Sequence, residues 1–347
     1  MMKAWQKPLI ENDHWACLEA KLNTCKQSIG RWRNSKQQPS HKKLHQMREQ
    51  LAVLQGDEGT FGGEEMQKLQ SDIHVLLDKE DLRWHQRARI DWLKFGDRNT
   101  KFFHVCANAR RQRNFIGVIH DVQGVKKEST EGVKEAFVHY FSKLFTAGQV
   151  KDMTPYLRHL SRCVTQDMNT ELLRDFTMEE IRDALRQMAP LKAPGLDGLN
   201  ACFYQTNWTI LGDEVCKSVL SILNYGIMPM GLNLTHITLI PKKKNPTNVT
   251  EFRPISLCNV MYKLISKTLA NRLKRILTHI ISPLQSAFIL GRLITDNVLA
   301  AYETLHTMHT GMKGKKGFMA IKLDMSKAYD WVGWRFLEAV MECIGFG

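Results

Sequence analysis

The pattern of apolar and polar positions along the chain predicts several helices that each bury one side. Apolar residues recur three or four positions apart in these stretches, as expected for a helix packed on a core. The strongest stripe consists of Leu264, Ile265, Leu269, Leu273, Ile276 and Leu277. Weaker stripes run through residues 66–88, 133–144, 181–188 and 215–223. A capping-box pattern from Thr177 to Glu180 marks the start of the 181–188 helix.

Short apolar runs predict strands between these helices. Residues 236–240 form one such run, which Pro241 closes, and residues 114–124 look extended with a turn at their polar end. Residues 318–323 follow the turn-like residues 313–317, which predicts a hairpin leading into a buried strand. The mixture of helices and short strands indicates an α+β fold.

Composition adds a charge imbalance to this picture. The chain has 49 Lys and Arg against 35 Asp and Glu, a net charge of +14, which favours a polyanionic partner such as nucleic acid. Its eight Cys residues include no Cys-x-x-Cys pair, so neither a disulfide framework nor a zinc site is expected. No apolar run approaches membrane-spanning length and no signal-peptide core is visible. We therefore expect an intracellular protein, nuclear or cytoplasmic, without a membrane partner.

Three segments are distinguished along the chain. Residues 1–65 are basic and polar, and predict a solvated helix or partly disordered arm, or alternatively an arm that binds nucleic acid. A stretch with four glycines between Gly56 and Gly63 is the expected linker. Residues 66–175 form a helix-rich region, and residues 176–347 form the last domain.

Asp324 lies at the exit of the strand predicted for residues 318–323. An acidic residue at the end of a core strand is costly unless something binds it, and a divalent cation is the usual reason. An Asp that only caps the following turn is the alternative.

Five short motifs follow one another in the second half of the chain. They are KAPGLDG at 192–198, LIPK at 239–242, FRPISLCNV at 252–260, QSAFILGR at 285–292 with Asp296 and Asn297, and KLDMSKAYD at 322–330. Their identity and order resemble the reverse transcriptases of plant non-LTR (LINE-type) retrotransposons. A looser match at residues 84–104 is similar to the segment that precedes the polymerase in such proteins.

The resemblance implies a right-hand polymerase, with a helical N-terminal extension followed by the fingers and part of the palm in residues 176–347. The parent enzyme would copy RNA into DNA, using an RNA template, a DNA primer, dNTPs and two Mg²⁺ ions. Asp324 would be the catalytic and metal-binding carboxylate, and the main-chain carbonyl of Met325 a further ligand. Lys242 and Arg253 would bind the triphosphate from the fingers hairpin. Tyr329 would pack against the sugar of the dNTP, or is a core aromatic.

Two further groups are candidate nucleic-acid contacts. The resemblance places Gln285, Phe288, Gly291 and Arg292 near the template strand. Separately, a basic cluster follows Phe102 and Phe103 in the upstream region, and its members are Arg110, Arg111 and Arg113. These arginines either follow an RNA backbone with aromatic stacking or form an exposed helix end.

Some features depart from the family pattern. Asp324 lies 23 residues before the last residue (347 minus 324), and the second carboxylate box of the family, an aromatic residue followed by Ala-Asp-Asp, does not occur in the sequence. Trp331, Gly333 and Leu196 replace the Arg, Glu and Pro that relatives usually carry. We therefore expect a truncated copy that does not polymerise alone; a non-catalytic RNA/DNA-binding remnant of a decayed retroelement is the alternative. No stable protein partner is inferred.

Overall fold

A computed structural model describes residues 5, 13–35, 40–56, 63–88, 100–148, 152–310, 319–325 and 328–347. These residues are mainly helical, with two small sheets, which confirms the α+β class. The first helices are α1 (His14–Ser35), α2 (Ser40–Gly56), α3 (Glu64–Ala88) and α4 (Thr100–Arg113). In this described part of the chain, no helix is both long and apolar enough to cross a membrane.

Two antiparallel strand pairs lie among the remaining helices. Strand β1 (Ile119–His120) pairs with β2 (Lys126–Lys127), and β3 (His236–Pro241) pairs with β4 (Phe252–Leu257), which a 3₁₀ turn (Val249–Glu251) precedes. Between the two sheets lie α5 (Thr130–Phe145), α6 (Thr154–Leu157), α7 (Gln166–Leu173), α8 (Met178–Arg186), α9 (Ala201–Thr206) and α10 (Trp208–Tyr225). After β4 come α11 (Val260–Ile280), α12 (Ile294–Thr310), α13 (Ala328–Trp331) and α14 (Trp334–Ile344).

The chain divides into two compact units. The first comprises Met1–Ala136, Ala189–Val215 and Asn233–Val260. Within it, α2 and α3 pack through Leu44, Met47 and Ile73. Helix α1 is tied to α10 by an ion pair of 2.5 Å between Lys21 and Glu214. The segment predicted as a solvated helix or arm is therefore helical where it is described, and its first helix has buried residues.

The second unit comprises Phe137–Met188, Cys216–Leu232 and Met261–Gly347. Its polar centre is Arg272 on α11, which is 2% exposed and forms an ion pair of 2.7 Å with Glu180 on α8. The guanidinium also donates to the main-chain carbonyls of Leu172, Arg174 and Asp175. This one side chain thus joins two helices to the loop between α7 and α8.

The helices predicted from periodicity are present. The stripes at 66–88 and 264–277 lie in α3 and α11, and the stripe at 215–223 lies in α10. Helix α10 ends before Gly226, whose φ of +72° suits a glycine at a helix end. Both hydrogen bonds of the Thr177–Glu180 capping box are present at the start of α8: each side chain accepts from the main-chain amide of the other residue. The predicted 236–240 strand is β3, and the extended 114–124 stretch contains β1.

The prediction of a strand at residues 318–323 is wrong for residues 319–323, the part that the structure describes. Residues 319–325 have no regular secondary structure, and Met319, Ile321 and Leu323 are exposed rather than buried. A strand needs a hydrogen-bonded neighbour, and the two sheets formed by the described residues contain only β1 with β2 and β3 with β4. Asp324 therefore does not stand at the exit of a buried strand.

Parts of the sequence-based predictions lie outside the described residues. These parts are residues 57–62 of the glycine linker, residues 89–99 of the upstream motif, the 313–317 turn with residue 318, and residues 326–327.

Candidate nucleic-acid interface

The hairpin of β3 and β4 carries Lys242 and Arg253. Arg253 lies directly opposite Ile240 in the strand register. The Lys242 amide donates to the Glu251 carbonyl at 2.8 Å, so the ladder continues one residue past β3. Paired residues of an antiparallel ladder point to the same face, so Ile240 and Arg253 share a face. Side chains alternate along a strand, so Lys242, two positions after Ile240, lies on that face too. Both cations are exposed, and the Lys242 ammonium also donates to the Thr250 carbonyl at 2.8 Å.

Glu251 holds the loop of this hairpin in shape. Its carboxylate accepts from the amides of Thr247 at 2.7 Å and Asn248 at 3.2 Å, and it forms an ion pair of 2.6 Å with Lys243. The hydrogen bond from Lys243, followed by the one from Thr247, lowers the pKa of Glu251 to about 2. The carboxylate therefore stays charged and keeps the loop closed at neutral pH.

His120 connects the upstream segment to the same loop. Its amide donates to the Thr247 carbonyl at 2.8 Å, and its ring Nδ1 lies 3.1 Å from that oxygen. His120 also forms a parallel bridge with Asn248, and its neighbour Ile119 is fully buried. The segment that the family resemblance places before a polymerase domain thus contacts the hairpin loop.

Two of the sequence motifs contact each other at Gly195 and Asn259. A Cβ on Gly195 would lie 2.3 Å from the Asn259 side-chain oxygen and 2.4 Å from its amide nitrogen, so only glycine fits there. The same Asn259 oxygen accepts from the Asp197 amide at 3.2 Å. Gly198 completes the turn with a φ of +73°. The contact fixes the KAPGLDG motif against the end of the FRPISLCNV motif, and sequence reasoning did not single out Asn259.

Arg292, a predicted template contact, binds main-chain carbonyls of its own chain. Its guanidinium donates to Ser282 at 2.6 Å and Gln285 at 2.7 Å, and to Ile281 at 3.2 Å and Thr278 at 3.3 Å. These carbonyls belong to the end of α11 and the loop that follows it, where helix carbonyls lack partners. Arg292 therefore caps α11. The amide group of Gln285 lies nearby and is exposed.

Phe288 has an unusual backbone and side-chain position. Its φ is +65°, a left-handed conformation that a bulky residue rarely adopts, and its ring is 81% exposed. Gly291 also has a positive φ, of +81°. Strained backbone that presents an apolar ring to solvent is typical of sites that contact a ligand.

Asp324, Met325 and Tyr329 are all exposed. Asp324 and Met325 lie in the irregular segment 319–325, and Tyr329 lies in the one-turn helix α13 with 84% of its surface exposed. Tyr329 is therefore not a core aromatic. Among the residues that the structure describes, no three His, Cys, Asp or Glu side chains form a cluster able to hold a metal ion. By themselves, these residues do not fit a site for two Mg²⁺ ions.

The two aromatic residues before the basic cluster differ in burial, because Phe102 is half-buried. Phe103 is 3% exposed and belongs to the core. Phe115, which follows the basic cluster, is instead 78% exposed. Sequence reasoning placed Phe115 in an extended segment and gave it no role.

Comparison with known proteins agrees with these motifs. Residues 240–347 match the family described as reverse transcriptase (RNA-dependent DNA polymerase). The chain is 28% identical over 313 residues to the transposon TX1 uncharacterized 149 kDa protein of Xenopus laevis, covering 86% of this chain and 24% of that protein. It is 26% identical over 236 residues to the probable RNA-directed DNA polymerase from transposon BS of Drosophila melanogaster, covering 65% and 25%.

A third relative is the retrovirus-related Pol polyprotein from type-1 retrotransposable element R2 of Popillia japonica. It is 26% identical over 175 residues, which cover 50% of this chain and 23% of that protein. The chain spans about a quarter of the length of the curated relatives it matches. Residues 240–347 are thus similar to a reverse transcriptase domain. These matches support the resemblance to LINE-type reverse transcriptases that the sequence motifs indicated.

Proposed function

We propose that the hairpin of β3 and β4 binds the triphosphate of an incoming dNTP in an RNA-directed DNA polymerase. The observation that carries the proposal is the position of Lys242 and Arg253 on one face of an exposed hairpin. Both residues lie within the part of the chain that matches the reverse transcriptase family. Glu251 supports the arrangement because it fixes the loop between the strands.

The two cations suit a triphosphate in different ways. Arg253 can donate two parallel hydrogen bonds to phosphate oxygens, whereas Lys242 supplies a point charge. Such groups position the phosphates and stabilise negative charge that develops as pyrophosphate leaves. The Lys242 ammonium would exchange its bond to the Thr250 carbonyl for one to a phosphate oxygen.

In this proposal, Asp324 is the first carboxylate of the catalytic centre. Its carboxylate would be one hard oxygen ligand for Mg²⁺, with the Met325 carbonyl beside it. A site for two metal ions needs further carboxylates, which other parts of the element protein would supply. Tyr329 would pack against the dNTP sugar, where a ring leaves no room for a 2′-hydroxyl. Its exposure leaves the ring accessible to a ligand.

The template side of the proposal rests on the loop from Gln285 to Arg292. Phe288 would stack on a template base, since every base has a face suited to an aromatic ring. Gly291 lacks a side chain and so allows the template strand to approach the backbone closely. The side-chain amide of Gln285 is exposed and would be accessible to the template. Arg292 acts indirectly, because it holds this loop against the end of α11.

Equilibrium binding of a fluorescent dNTP to the 347-residue chain tests the hairpin. Arg253→Ala and Lys242→Ala should each weaken binding about tenfold or more, the usual effect of losing a hydrogen bond to a charged group. Lys134→Ala is the control, because Lys134 is an exposed lysine on α5. Equal affinity in the hairpin variants and the control would refute the proposal. Arg253→Lys should recover only part of the affinity.

A second candidate is a non-catalytic protein that only holds RNA or DNA. The net charge of +14 favours it, as does Trp331 at a position where relatives usually carry a cation. Primer extension on an RNA template, by an element protein that contains this chain and the second carboxylate box, separates the candidates. Extension that Asp324→Asn abolishes supports the polymerase. Salt-dependent RNA binding without extension supports the binding protein.

A further inference from the structure

The surface at the end of α4 has no role in the function proposed above. An open pocket of about 550 Å³ lies there, lined by Asn108, Arg111, Gln112 and Phe115. We call these four residues, with the neighbouring Arg110 and Arg113, the α4 patch. It combines cations, amide side chains and one exposed aromatic ring.

The charge of the α4 patch is uncompensated over a long stretch of sequence. Residues 98–120 contain no Asp or Glu, but they contain Arg98, Lys101, Arg110, Arg111 and Arg113. All three arginines of the patch are exposed. Within the described ranges, no carboxylate lies at ion-pair distance from any of the three. The patch therefore presents positive charge that is open to an anionic ligand.

Phe115 distinguishes this patch from an ordinary basic helix end. Cations in the last turn of a helix interact favourably with its dipole, which accounts for arginines at the end of α4. That effect gives no reason for a ring that is 78% exposed beside Asn108 and Gln112. Arginine, amide and aromatic side chains around one open pocket match the phosphate, base edge and base face of a nucleotide.

The position of the patch in the chain connects it to the hairpin. His120 lies five positions after Phe115, so the Cα atoms of the two residues are at most about 17 Å apart. The His120 amide binds the Thr247 carbonyl in the loop that Glu251 holds. The patch and the hairpin loop belong to the same compact unit. A strand bound to the patch would therefore approach the hairpin.

We propose that the α4 patch binds single-stranded RNA on its way to the hairpin. The Phe115 ring stacks on one base, the three arginines contact phosphates, and the amides of Asn108 and Gln112 reach base edges. This inference rests on the proposed function, since the bound strand is taken to be the template.

Fluorescence anisotropy with a single-stranded RNA of about twelve nucleotides tests the stacking contact. Phe115→Ala should raise the Kd about tenfold, without changing the slope of log K against log salt. Tyr225→Ala is the matched control, because Tyr225 is also 78% exposed and stands at the end of a helix. An RNA duplex of the same length should bind the wild type more weakly. Equal effects of the two aromatic variants, or equal binding of the duplex, would overturn the proposal.

Arginine variants test the phosphate contacts separately. Arg111→Ala should lower the magnitude of the salt slope by about 0.7, the value for one phosphate contact on a single strand. Arg33→Ala is the control, since Arg33 is an exposed arginine in the last turn of α1. An unchanged slope in Arg111→Ala contradicts the proposal. Normal dNTP binding by the patch variants would show that the hairpin proposal stands even if the patch proposal fails.

Discussion

Removal of the Arg272 guanidinium should destabilise the second unit more than loss of any surface charge. The guanidinium bonds both carboxylate oxygens of Glu180, at 2.7 and 3.1 Å, and its carbon lies 3.4 Å from the centre of the Phe176 ring. In Arg272→Ala the Glu180 carboxylate would remain half-enclosed without its main partner, and the Leu172 and Asp175 carbonyls would each lose a donor. Breaking a buried ion pair from one side costs about 3–5 kcal/mol.

Urea unfolding and amide hydrogen exchange of α8 and α11 measure this loss. Arg275→Ala is the matched control, because Arg275 lies three residues after Arg272 on the same helix. It forms ion pairs with Glu171 at 3.3 Å and Glu180 at 3.7 Å, but it is 43% exposed. Its loss should cost no more than about 1 kcal/mol. If the two variants unfold at the same urea concentration, the buried network does not stabilise this unit.

Acid should weaken the same network. Burial alone would raise the pKa of Glu180, but the hydrogen bonds from Arg272 and from the Thr177 amide outweigh it and lower the pKa below 4.5. Because the folded state depresses the pKa, the stabilisation is present above the unfolded value and disappears as pH falls through the folded one. Glu180→Gln should therefore show a smaller acid dependence of its unfolding free energy than the wild type.

Four further predictions concern single positions. Glu251→Ala should speed exchange of the Thr247 amide, and Glu251→Gln should do so less, because the amide oxygen can still accept; equal rates would contradict the role of Glu251. Gly195→Ala should cost about 1–3 kcal/mol in urea unfolding, since its Cβ would lie 2.3 Å from an amide oxygen. In contrast, Gly30→Ala, with nothing within 4 Å, should stabilise α1 by up to about 1 kcal/mol. Phe288→Ala and Phe288→Gly should both weaken RNA binding. The Gly variant should be more stable than the Ala variant by about 1 kcal/mol, because glycine adopts a positive φ without strain.

The helices and strand β3 were accessible from the sequence because each depends on local pattern, whereas the pairing of β3 with β4 was expected only from the family resemblance. The stripe around Leu264 and the alternation before Pro241 give α11 and β3 directly. The strand expected at 318–323 failed because an apolar run does not specify a pairing partner. Local pattern therefore predicted helices better than it predicted strands.

Contacts between distant segments could not be predicted from one sequence. Glu180 and Arg272 are 92 residues apart, and no local pattern in the sequence pairs them. Asn259 belongs to the FRPISLCNV motif, but its contact with Gly195 depends on how two distant segments fold together. The motifs indicated the resemblance to reverse transcriptases, while the partners of individual side chains required coordinates.

The position of Arg292 affects how mutants of the loop after α11 can be interpreted. Arg292→Ala would leave four main-chain carbonyl oxygens without their hydrogen-bond donor. This structural effect would occur whether or not Arg292 also contacts a nucleic acid. Weaker nucleic-acid binding by such a mutant would then report loss of the α11 cap. Only a substitution that keeps the cap and alters the neighbouring ring can separate scaffolding from substrate contact.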